Sequence, residues 1–345
     1  MSRTKIEWTE RRWNPVTGCS KVSQGCKFCY AETMAKRFWK NRKFTDILIH
    51  LERLREPIKW KKPGLVFVNS MSDLFHPSIP FQFIDLVFAV MAIAKNQTFQ
   101  ILTKRPERMI EYFIFKDRDW KHPGMQADER IRFQTYHQFG KGIPPNEWSW
   151  PLKNVWLGIS CEGQATADAR IPILIKTPAA VRFISAEPLL GPIDFDKYFY
   201  ASNLDDNGIE GVESGNIDWV IAGGESGTQA RPMHPDWVRS IRNQCISAKV
   251  DFFFKQWGNW QPVENVDFES DMEAESLDEG WYAGTGQNGR KYVDRENNKM
   301  LRIKRWEENV VGNDFSIYLK DKSISGRLLD GREWNEKPGC LAHNL

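Results

Sequence analysis

Three of the six cysteines in this chain lie close together near the start of the sequence. Cys19, Cys26 and Cys29 form a C-x6-C-x2-C arrangement. Thiolates are soft ligands that suit zinc and iron–sulfur clusters, and a loop with two cysteines separated by two residues can wrap one metal centre without strain. The spacing therefore predicts a metal site on a single loop.

The number of cysteines bears on the kind of metal. A closed structural zinc site needs four ligands, and the nearest further candidates, His50 and His76, are not at finger-like spacing from Cys29. A four-iron, four-sulfur cluster ([4Fe-4S]) held by three cysteines leaves one iron open for another ligand. We therefore expect such a cluster on Cys19, Cys26 and Cys29, with zinc and buried apolar thiols as the alternatives.

The composition excludes several classes of protein. The chain has 345 residues, of which 41% are hydrophobic and 27% charged, so it is neither disordered nor collagen-like. The longest apolar stretch, residues 81–94, is shorter than the roughly 20 residues that span a bilayer. The N-terminal residues include no apolar signal segment, so we expect a cytoplasmic protein with reduced cysteines and no membrane segment.

Short apolar runs recur along the chain and predict buried parallel strands. They cover residues 65–69, 99–103, 155–160, 181–185, 219–222 and 252–255. Segments with a helical pattern, at 81–95, 165–175 and 235–249, lie between them. Strands that alternate with helices are typical of an α/β fold.

Polar residues follow nearly every predicted strand. They are Ser70, Ser72 and Asp73, then Lys104 and Arg105, then Glu162, Glu187 and Glu225, with Lys255 at the end of the last run. In a parallel barrel the carboxyl ends of all strands open on one rim, whereas an open doubly wound sheet binds ligands beside one switch point. We therefore favour a partial (β/α) barrel of six or seven parallel strands.

The alternation of predicted strands and helices divides the chain into two parts. Residues 1–260 are expected to form the barrel, with loops or insertions near 116–150 and 201–216. Residues 261–345 are expected to form a C-terminal cap, in which residues 280–304 resemble a hairpin region.

Several motifs occur in order along most of the chain. They are WNPVTGC (13–19), CxxCYAE (26–32), NSMSDLFH (69–76), LTKRPER (102–108), NVWLGIS (154–160), RFISAEPLLGP (182–192), DWVIAGGESG (218–227), FFFKQWG (252–258) and LDGREWNEKP (329–338). With these motifs the chain resembles the phage-associated three-Cys-motif proteins, which are similar to radical SAM enzymes. It departs from the usual C-x3-C-x2-C spacing of those enzymes, while Phe28 matches the aromatic residue before their last cysteine.

The resemblance implies a chemistry. In radical SAM enzymes, S-adenosylmethionine (SAM) chelates the open iron of the cluster, and its reductive cleavage produces a 5′-deoxyadenosyl radical. The family context suggests a nucleotide or nucleic-acid substrate, in phage DNA modification or repair. An external electron donor and a three-Cys-motif partner protein are the implied partners.

The resemblance also suggests roles for the residues at the strand ends. By position, Ser70, Ser72 and Asp73 are expected to receive the amino group of SAM, and Lys104 or Arg105 its carboxylate. Glu162 is expected to contact the cofactor. Glu187, Glu225 and Lys255 are expected to contact the substrate or exchange a proton with it. The alternative for the glutamates is a structural ion pair, for instance with Arg182 or Lys255.

Residues 36–62 are strongly basic, with ten Lys or Arg against three acidic residues, although the whole chain has a net charge of only +3. Phe38, Trp39, Phe44 and Trp60 are interleaved with these cations. The combination suits a phosphate backbone with stacked bases, while an amphipathic helix with its aromatic face in the core explains it equally well. Two rival functions stay open. One is a zinc-stapled nucleic-acid-binding protein without enzymatic activity, and the other is a cluster protein that serves only electron transfer or sensing.

Overall fold

Seven strands form one parallel sheet in a computed structural model of the chain. Their bounds are β1 Arg11–Trp13, β2 Gly64–Val68, β3 Gln97–Thr103, β4 Val155–Ser160, β5 Val181–Ala186, β6 Trp219–Gly223 and β7 Asp251–Gln256. The strands pair in chain order, and the sheet curls into a half-barrel. A doubly wound sheet would reverse its strand order at a switch point, and this sheet does not. The predicted partial barrel is therefore confirmed.

The structure describes residues 4, 6–115, 124–199, 217–227, 229–263, 291–294, 299–306, 316–319 and 327–339. From 261 to 319 the description covers the backbone of the strands. The predicted insertion at 201–216 lies outside the described residues.

Strand β1 was not among the six strands predicted from apolar runs. Its sequence is Arg-Arg-Trp, in which Trp13 alone is fully buried. Arg11 is held at the sheet edge by hydrogen bonds from Nη1 to the Lys62 carbonyl (2.8 Å) and to Gln97 Oε1 (2.6 Å). This short polar edge strand leads directly into the loop that carries the three cysteines.

Seven helices are described. Their bounds are α1 Tyr30–Phe38, α2 Phe81–Ile93, α3 Pro106–Ile114, α4 Ala127–His137, α5 Gln164–Lys176, α6 Asp196–Phe199 and α7 Pro235–Ala248. Short 3-10 turns occur at Gln24–Cys26, Leu51–Arg53, Pro57–Lys59 and Pro145–Glu147. The three helices predicted from the sequence correspond to α2, α5 and α7. Among the described helices, none is long and apolar enough to cross a membrane.

Helix α4 lies inside the segment predicted as a loop or insertion near 116–150. It covers α2, whose sequence is apolar on all sides apart from Gln82 and the buried Asp85. Arg130 of α4 pairs with Asp85 at 3.1 Å, with both side chains about 1% exposed, and Tyr112 donates to the same carboxylate at 2.8 Å. A buried carboxylate needs such a partner, so α4 is part of the packed fold and not a loop.

The two faces of the sheet bury different sets of side chains because neighbouring residues of a strand point in opposite directions. One face packs against the helices in the main core. The opposite face packs Trp8 against an aromatic layer that includes Phe67, Phe183 and Trp219. The ring of Trp8 lies 4.6 Å from that of Phe67 and 6.2 Å from that of Trp219. This layer fills the base of the half-barrel.

Beyond the parallel sheet the chain forms antiparallel structure. The strands Gln261–Val263, Ser316–Leu319, Lys299–Trp306 and Lys291–Asp294 form a four-stranded sheet in that order. Its last two strands pair antiparallel and overlap the predicted hairpin region 280–304, of which residues 280–290 and 295–298 lie outside the description. Leu328–Leu329 pairs with Arg332–Glu333, and Val16–Thr17 pairs with Leu48–Ile49.

Residues 327–339 lie along the free edge of β7. The Phe254 amide donates to the Trp334 carbonyl at 3.0 Å, and Phe253 forms a β-bridge with Asn335. The indole of Trp219 donates to the Glu336 carbonyl at 2.8 Å. The end of the chain therefore seals the half-barrel on this side. A separate cap domain over 261–345 stays a prediction.

Candidate functional site

A cavity of about 300 Å³ opens where the parallel strands end. This volume is at the lower limit of the range typical of small-molecule sites. Its floor includes Trp8 and Phe67 from the aromatic layer, and its walls come from the cysteine loop and from the residues that follow the strands. The sequence predicted that polar groups would converge on this rim, and those at 70, 72, 73, 104, 105, 187, 225 and 255 line the cavity.

Cys19, Cys26 and Cys29 all line this cavity, and each is partly buried and free of a disulfide. Cys26 ends a 3-10 turn, and Cys29 immediately precedes α1. Burial raises the pKa of Cys19 to about 11, with the charge of Asp73 adding to the effect, and burial also raises the pKa of Cys29. Three soft donors that line one cavity are the ligand type that an iron–sulfur cluster or zinc requires.

The described residues include no group of three His, Cys, Asp or Glu side chains that is already arranged as the ligand set of a single metal ion. The three thiols line the cavity without forming such a set.

Asp73 is buried and fully occupied by hydrogen bonds within the protein. Its Oδ1 accepts from the Thr103 hydroxyl at 2.8 Å and from the Phe75 amide at 3.0 Å. Its Oδ2 accepts from the Lys104 amide at 3.1 Å and from Arg105 Nη1 at 2.9 Å. The carboxylate thereby joins the segment after β2 to the segment after β3.

Arg105 carries this connection on to the cysteine loop. Its Nη1 lies 3.6 Å from the sulfur of Cys19, and its Nη2 donates to the carbonyl (2.8 Å) and hydroxyl (3.0 Å) of Ser20. The guanidinium is only about 7% exposed. Asp73 and Arg105 together fix the first cysteine over the sheet.

Glu162 forms a second anchor for the loop. Its Oε1 accepts from the Ser23 hydroxyl at 2.6 Å and lies 3.2 Å from Lys104 Nζ, while Oε2 accepts from Arg170 at 3.1 Å. Burial opposes ionisation, but Lys104, Ser23 and Arg170 outweigh it and lower the pKa of Glu162. A Cβ at Gly25 would lie 2.5 Å from the Glu162 side chain, so the loop approaches this carboxylate closely.

Glu225 forms a third anchor. Arg231 donates from Nη2 to Oε1 of this carboxylate at 2.6 Å and from Nε to Oε2 at 2.8 Å. The same Nη2 also donates to the Gln24 carbonyl at 3.0 Å. The guanidinium lies 5.3 Å from the centre of the Phe28 ring. A Cβ at the preceding Gly224 would lie 2.0 Å from the Trp257 carbonyl, so backbone packing alone requires glycine there.

Glu187 and Lys255, which both line the cavity, form an ion pair. Lys255 Nζ donates to Glu187 Oε1 at 2.5 Å, and the two side chains are 16% and 19% exposed respectively. The alternative partner, Arg182, instead donates to the Thr177 carbonyl at 2.9 Å. Of the predicted site residues, this pair faces the cavity without binding the cysteine loop.

The two serines after β2 donate to a side chain and to a backbone carbonyl of the segment that follows β1. The Ser70 hydroxyl donates to Asn14 Oδ1 at 3.2 Å, and the Ser72 hydroxyl donates to the Val16 carbonyl at 2.9 Å. The hydroxyl of Tyr30 donates to the Ser70 carbonyl.

Several residues of the site were missed in the sequence. Tyr30 and Asn69 line the cavity and stand inside the quoted motifs, which could have drawn attention to them. Trp8 and Ser20 also line it. Arg231 has no local signal, because its role depends on Gln24, which is distant in the chain.

The basic segment 36–62 is not one amphipathic helix. Helix α1 ends at Phe38, which is 61% exposed, and the rest contains a short strand and two 3-10 turns. The guanidinium of Arg42 lies 4.0 Å from the centre of the Trp39 ring and donates to the Thr17 carbonyl at 2.6 Å. The interpretation as a helix with its aromatic face in the core is therefore wrong.

Comparison with known proteins identifies the family. The model of the family described as "protein of unknown function (DUF5131)" matches residues 3–338, so the chain belongs to this family. No match was found among curated proteins. A solved structure of spore photoproduct lyase complexed with dinucleoside spore photoproduct is similar, with 9% identity and a TM-score of 0.37. The match covers 89% of this chain and 67% of that chain. At this similarity, neither the ligand nor the activity of that protein is transferred.

Proposed function

We propose that this member of the family is a radical SAM-like enzyme that holds a [4Fe-4S] cluster on Cys19, Cys26 and Cys29. The observation that carries the proposal is that the three thiols of one loop line one cavity at the rim of a parallel half-barrel. That rim is where enzymes built on parallel barrels keep their chemistry. When bound and reduced, such a cluster supplies the electron that cleaves SAM.

The residues around the proposed cluster site have different roles according to their contacts. Asp73, Arg105, Glu162 and Glu225 act as positioning residues, because their hydrogen bonds reach the cysteine loop directly or through a neighbouring side chain. Lys104 lines the cavity, and its ammonium has three donors, one of which faces Glu162 at 3.2 Å. Its remaining donors suit the carboxylate of SAM.

Glu187 and Lys255 serve the substrate side of the cavity. Their pair, with Nζ and Oε1 2.5 Å apart, offers both a donor and an acceptor to a polar substrate. Ser70 and Ser72 also line the cavity.

The substrate class we propose is a nucleotide or nucleic acid. Helix α1 begins at Tyr30, which lines the cavity, and runs to the exposed Phe38. Lys36 and Arg37 on the same helix are exposed. A nucleic-acid strand bound along this surface would place its phosphates beside these cations and extend to the cavity. An external electron donor and a partner protein belong to the same proposal.

The test is release of 5′-deoxyadenosine from SAM after reduction with dithionite, on anaerobically purified protein reconstituted with iron and sulfide. The wild-type protein is expected to release it, and Cys26→Ala is expected to lose both iron and release. Cys161→Ala is the matched control, because Cys161 is a fully buried thiol that does not line the cavity. Equal release from Cys26→Ala and the wild type would contradict the proposal, and bound zinc without cleavage would favour the zinc-stapled binding protein.

A further inference from the structure

Asn69 is a buried residue at the end of β2 that the roles above do not use. It lines the cavity and is about 3% exposed. Its φ of 62° is left-handed, a conformation that asparagine tolerates better than most residues. Its amide donates to the Trp13 carbonyl at 2.8 Å, and its carbonyl accepts from the Ser72 amide at 3.2 Å. The backbone therefore fixes where the side chain begins.

The side-chain amide of Asn69 has one end satisfied and one end free. Its Oδ1 accepts a hydrogen bond from the Val16 amide at 3.3 Å. This contact sets the orientation of the amide, since a flipped group would turn its NH₂ toward the N–H of Val16. Nδ2 is buried and has no hydrogen-bond partner in the described part of the chain. A buried donor without an acceptor is unfavourable, so this group needs an explanation such as a bound water, ion or ligand.

The other polar side chains after β2 are already engaged. The Ser70 hydroxyl donates to Asn14, the Ser72 hydroxyl donates to the Val16 carbonyl, and both carboxylate oxygens of Asp73 accept hydrogen bonds. Among the described side chains after β2, the donor without a partner therefore belongs to Asn69, a residue that lines the cavity.

We propose that Nδ2 of Asn69 donates a hydrogen bond to an oxygen atom of the molecule that the cavity binds. This inference rests on the proposed function and names the chemistry of one subsite. An N–H donor pairs with an acceptor oxygen and excludes an ammonium group, and a carboxylate or carbonyl oxygen meets this requirement. Two sources carry such an oxygen, namely the methionine carboxylate of SAM and a base carbonyl of a nucleic-acid substrate.

The variant Asn69→Asp tests this directly. Aspartate keeps the shape of the side chain and the acceptor for Val16, and it replaces the free donor by an oxygen. Asn69→Gly is the second variant, because glycine adopts a positive φ without strain and removes the donor without adding charge. Thermal unfolding of both variants establishes that they are folded before binding is measured.

Asn259→Asp is the matched control. The Oδ1 of Asn259 also accepts from a backbone amide, that of Gly227 at 2.8 Å, and its Nδ2 is likewise buried without a partner among the described residues. Asn259 does not line the cavity. A general effect of placing aspartate at such a position would appear in this variant as well.

The measurement is equilibrium dialysis of the reconstituted protein with two probes, SAM and a single-stranded oligothymidylate. If the oxygen is that of SAM, both Asn69 variants raise the Kd for SAM by about tenfold or more and leave that for the oligonucleotide unchanged. If it is a base carbonyl, both Asn69 variants raise the Kd for the oligonucleotide and leave that for SAM unchanged.

Unchanged affinity for both probes in folded Asn69 variants, with a wild type that binds them, overturns the inference and leaves the proposed function intact. An equal loss in Asn259→Asp overturns it too. A wild-type protein that binds neither probe overturns the proposed function and this inference with it.

Discussion

At the scale of single residues, the cysteine loop depends on three buried carboxylates that come from different parts of the sheet. Asp73, Glu162 and Glu225 are each about 5% exposed or less. Each reaches the loop directly or through an arginine, at Ser20, Ser23 and Gln24 respectively. Buried charges that are paired and hydrogen-bonded hold a geometry, whereas an unpaired one is costly. The loop is therefore held in place by the protein's own contacts.

Glu162→Gln tests the strongest of these anchors. The substitution leaves the buried Arg170 and the partly buried Lys104 beside a neutral amide, so we expect a loss of about 3 kcal/mol in the free energy of unfolding. It also removes the carboxylate that binds Ser23, so the iron content after reconstitution should fall. Urea unfolding and iron analysis measure the two effects.

The control for that variant is Glu147→Gln, whose partner Lys95 is exposed. Here we expect a change below about 1 kcal/mol, since exposed ion pairs contribute little. If Glu162→Gln matched this control in both stability and iron content, Glu162 would not be an anchor of the loop.

The sequence predicted which residues gather at the rim but not what each one does. The three cysteines and the predicted polar residues after the strands, apart from Glu162, line one cavity, because parallel strands end on one side of a sheet. Their roles follow from partners that are distant in sequence. Arg231 joins Glu225 to Gln24, and no local pattern carries that information. The ion pair of Glu187 with Lys255 is one of the structural alternatives that we expected from the sequence.

At the scale of secondary-structure elements, residues 327–339 cover the edge of β7. Asp330 holds this segment to α7 by ion pairs with Arg239 (2.8 Å) and Arg242. The hydrogen bond from Arg239 and that from Arg242 lower the pKa of Asp330. An unprotected sheet edge is prone to pairing with other chains, so this contact protects the fold as well as stabilising it.

Asp330→Asn should therefore destabilise the protein in a pH-dependent way. The pKa of Asp330 is lowered in the folded state, so its contribution is complete above the unfolded value of about 3.9 and is lost as the pH falls through the folded value. We expect the variant to be about 0.5–1 kcal/mol less stable at pH 7, with the difference shrinking below pH ~3.9. Urea unfolding across this pH range measures it.

Glu111→Gln, which breaks an exposed pair with Arg108 on α3, serves as the control at both pH values. A stability difference for Asp330→Asn that stayed constant, or grew, in acid would mean that the ion pairs do not hold the segment.

The elements themselves were predictable to different degrees. The strands β2 to β7 and the helices α2, α5 and α7 are apolar or strongly patterned, and the sequence predicted them. The short edge strand β1 was not predicted because two of its three residues are arginines. Helix α4 was not predicted because its sequence is rich in charge, and its burial depends on the pairing of Arg130 with Asp85.

At the scale of the whole molecule, the cavity depends on the aromatic layer beneath it. Phe183 is fully buried in this layer, with its ring centre 6.3 Å from that of Trp8 and 5.7 Å from that of Trp219. Gly158 on β4 makes room for the ring, since a Cβ there would lie 2.5 Å from Phe183. The floor of the cavity is therefore a close-packed surface.

Gly158→Ala should disturb this floor. The ring of Phe183 is surrounded by other aromatic side chains and has little space to move, so we expect a loss of about 1–3 kcal/mol in the free energy of unfolding. Gly191→Ala is the control, because a Cβ there meets nothing within 4 Å. Equal stability of the two variants would show that the layer yields more easily than its packing implies.

The most direct test of the cysteine site is the metal content of the wild-type protein purified and reconstituted without oxygen, with the electron paramagnetic resonance spectrum of its reduced form. We expect about four iron and four sulfide per chain, and a spectrum of the reduced cluster that changes when SAM is added. Stoichiometric zinc without iron uptake, or a cluster whose spectrum does not change with SAM, would contradict the proposed function.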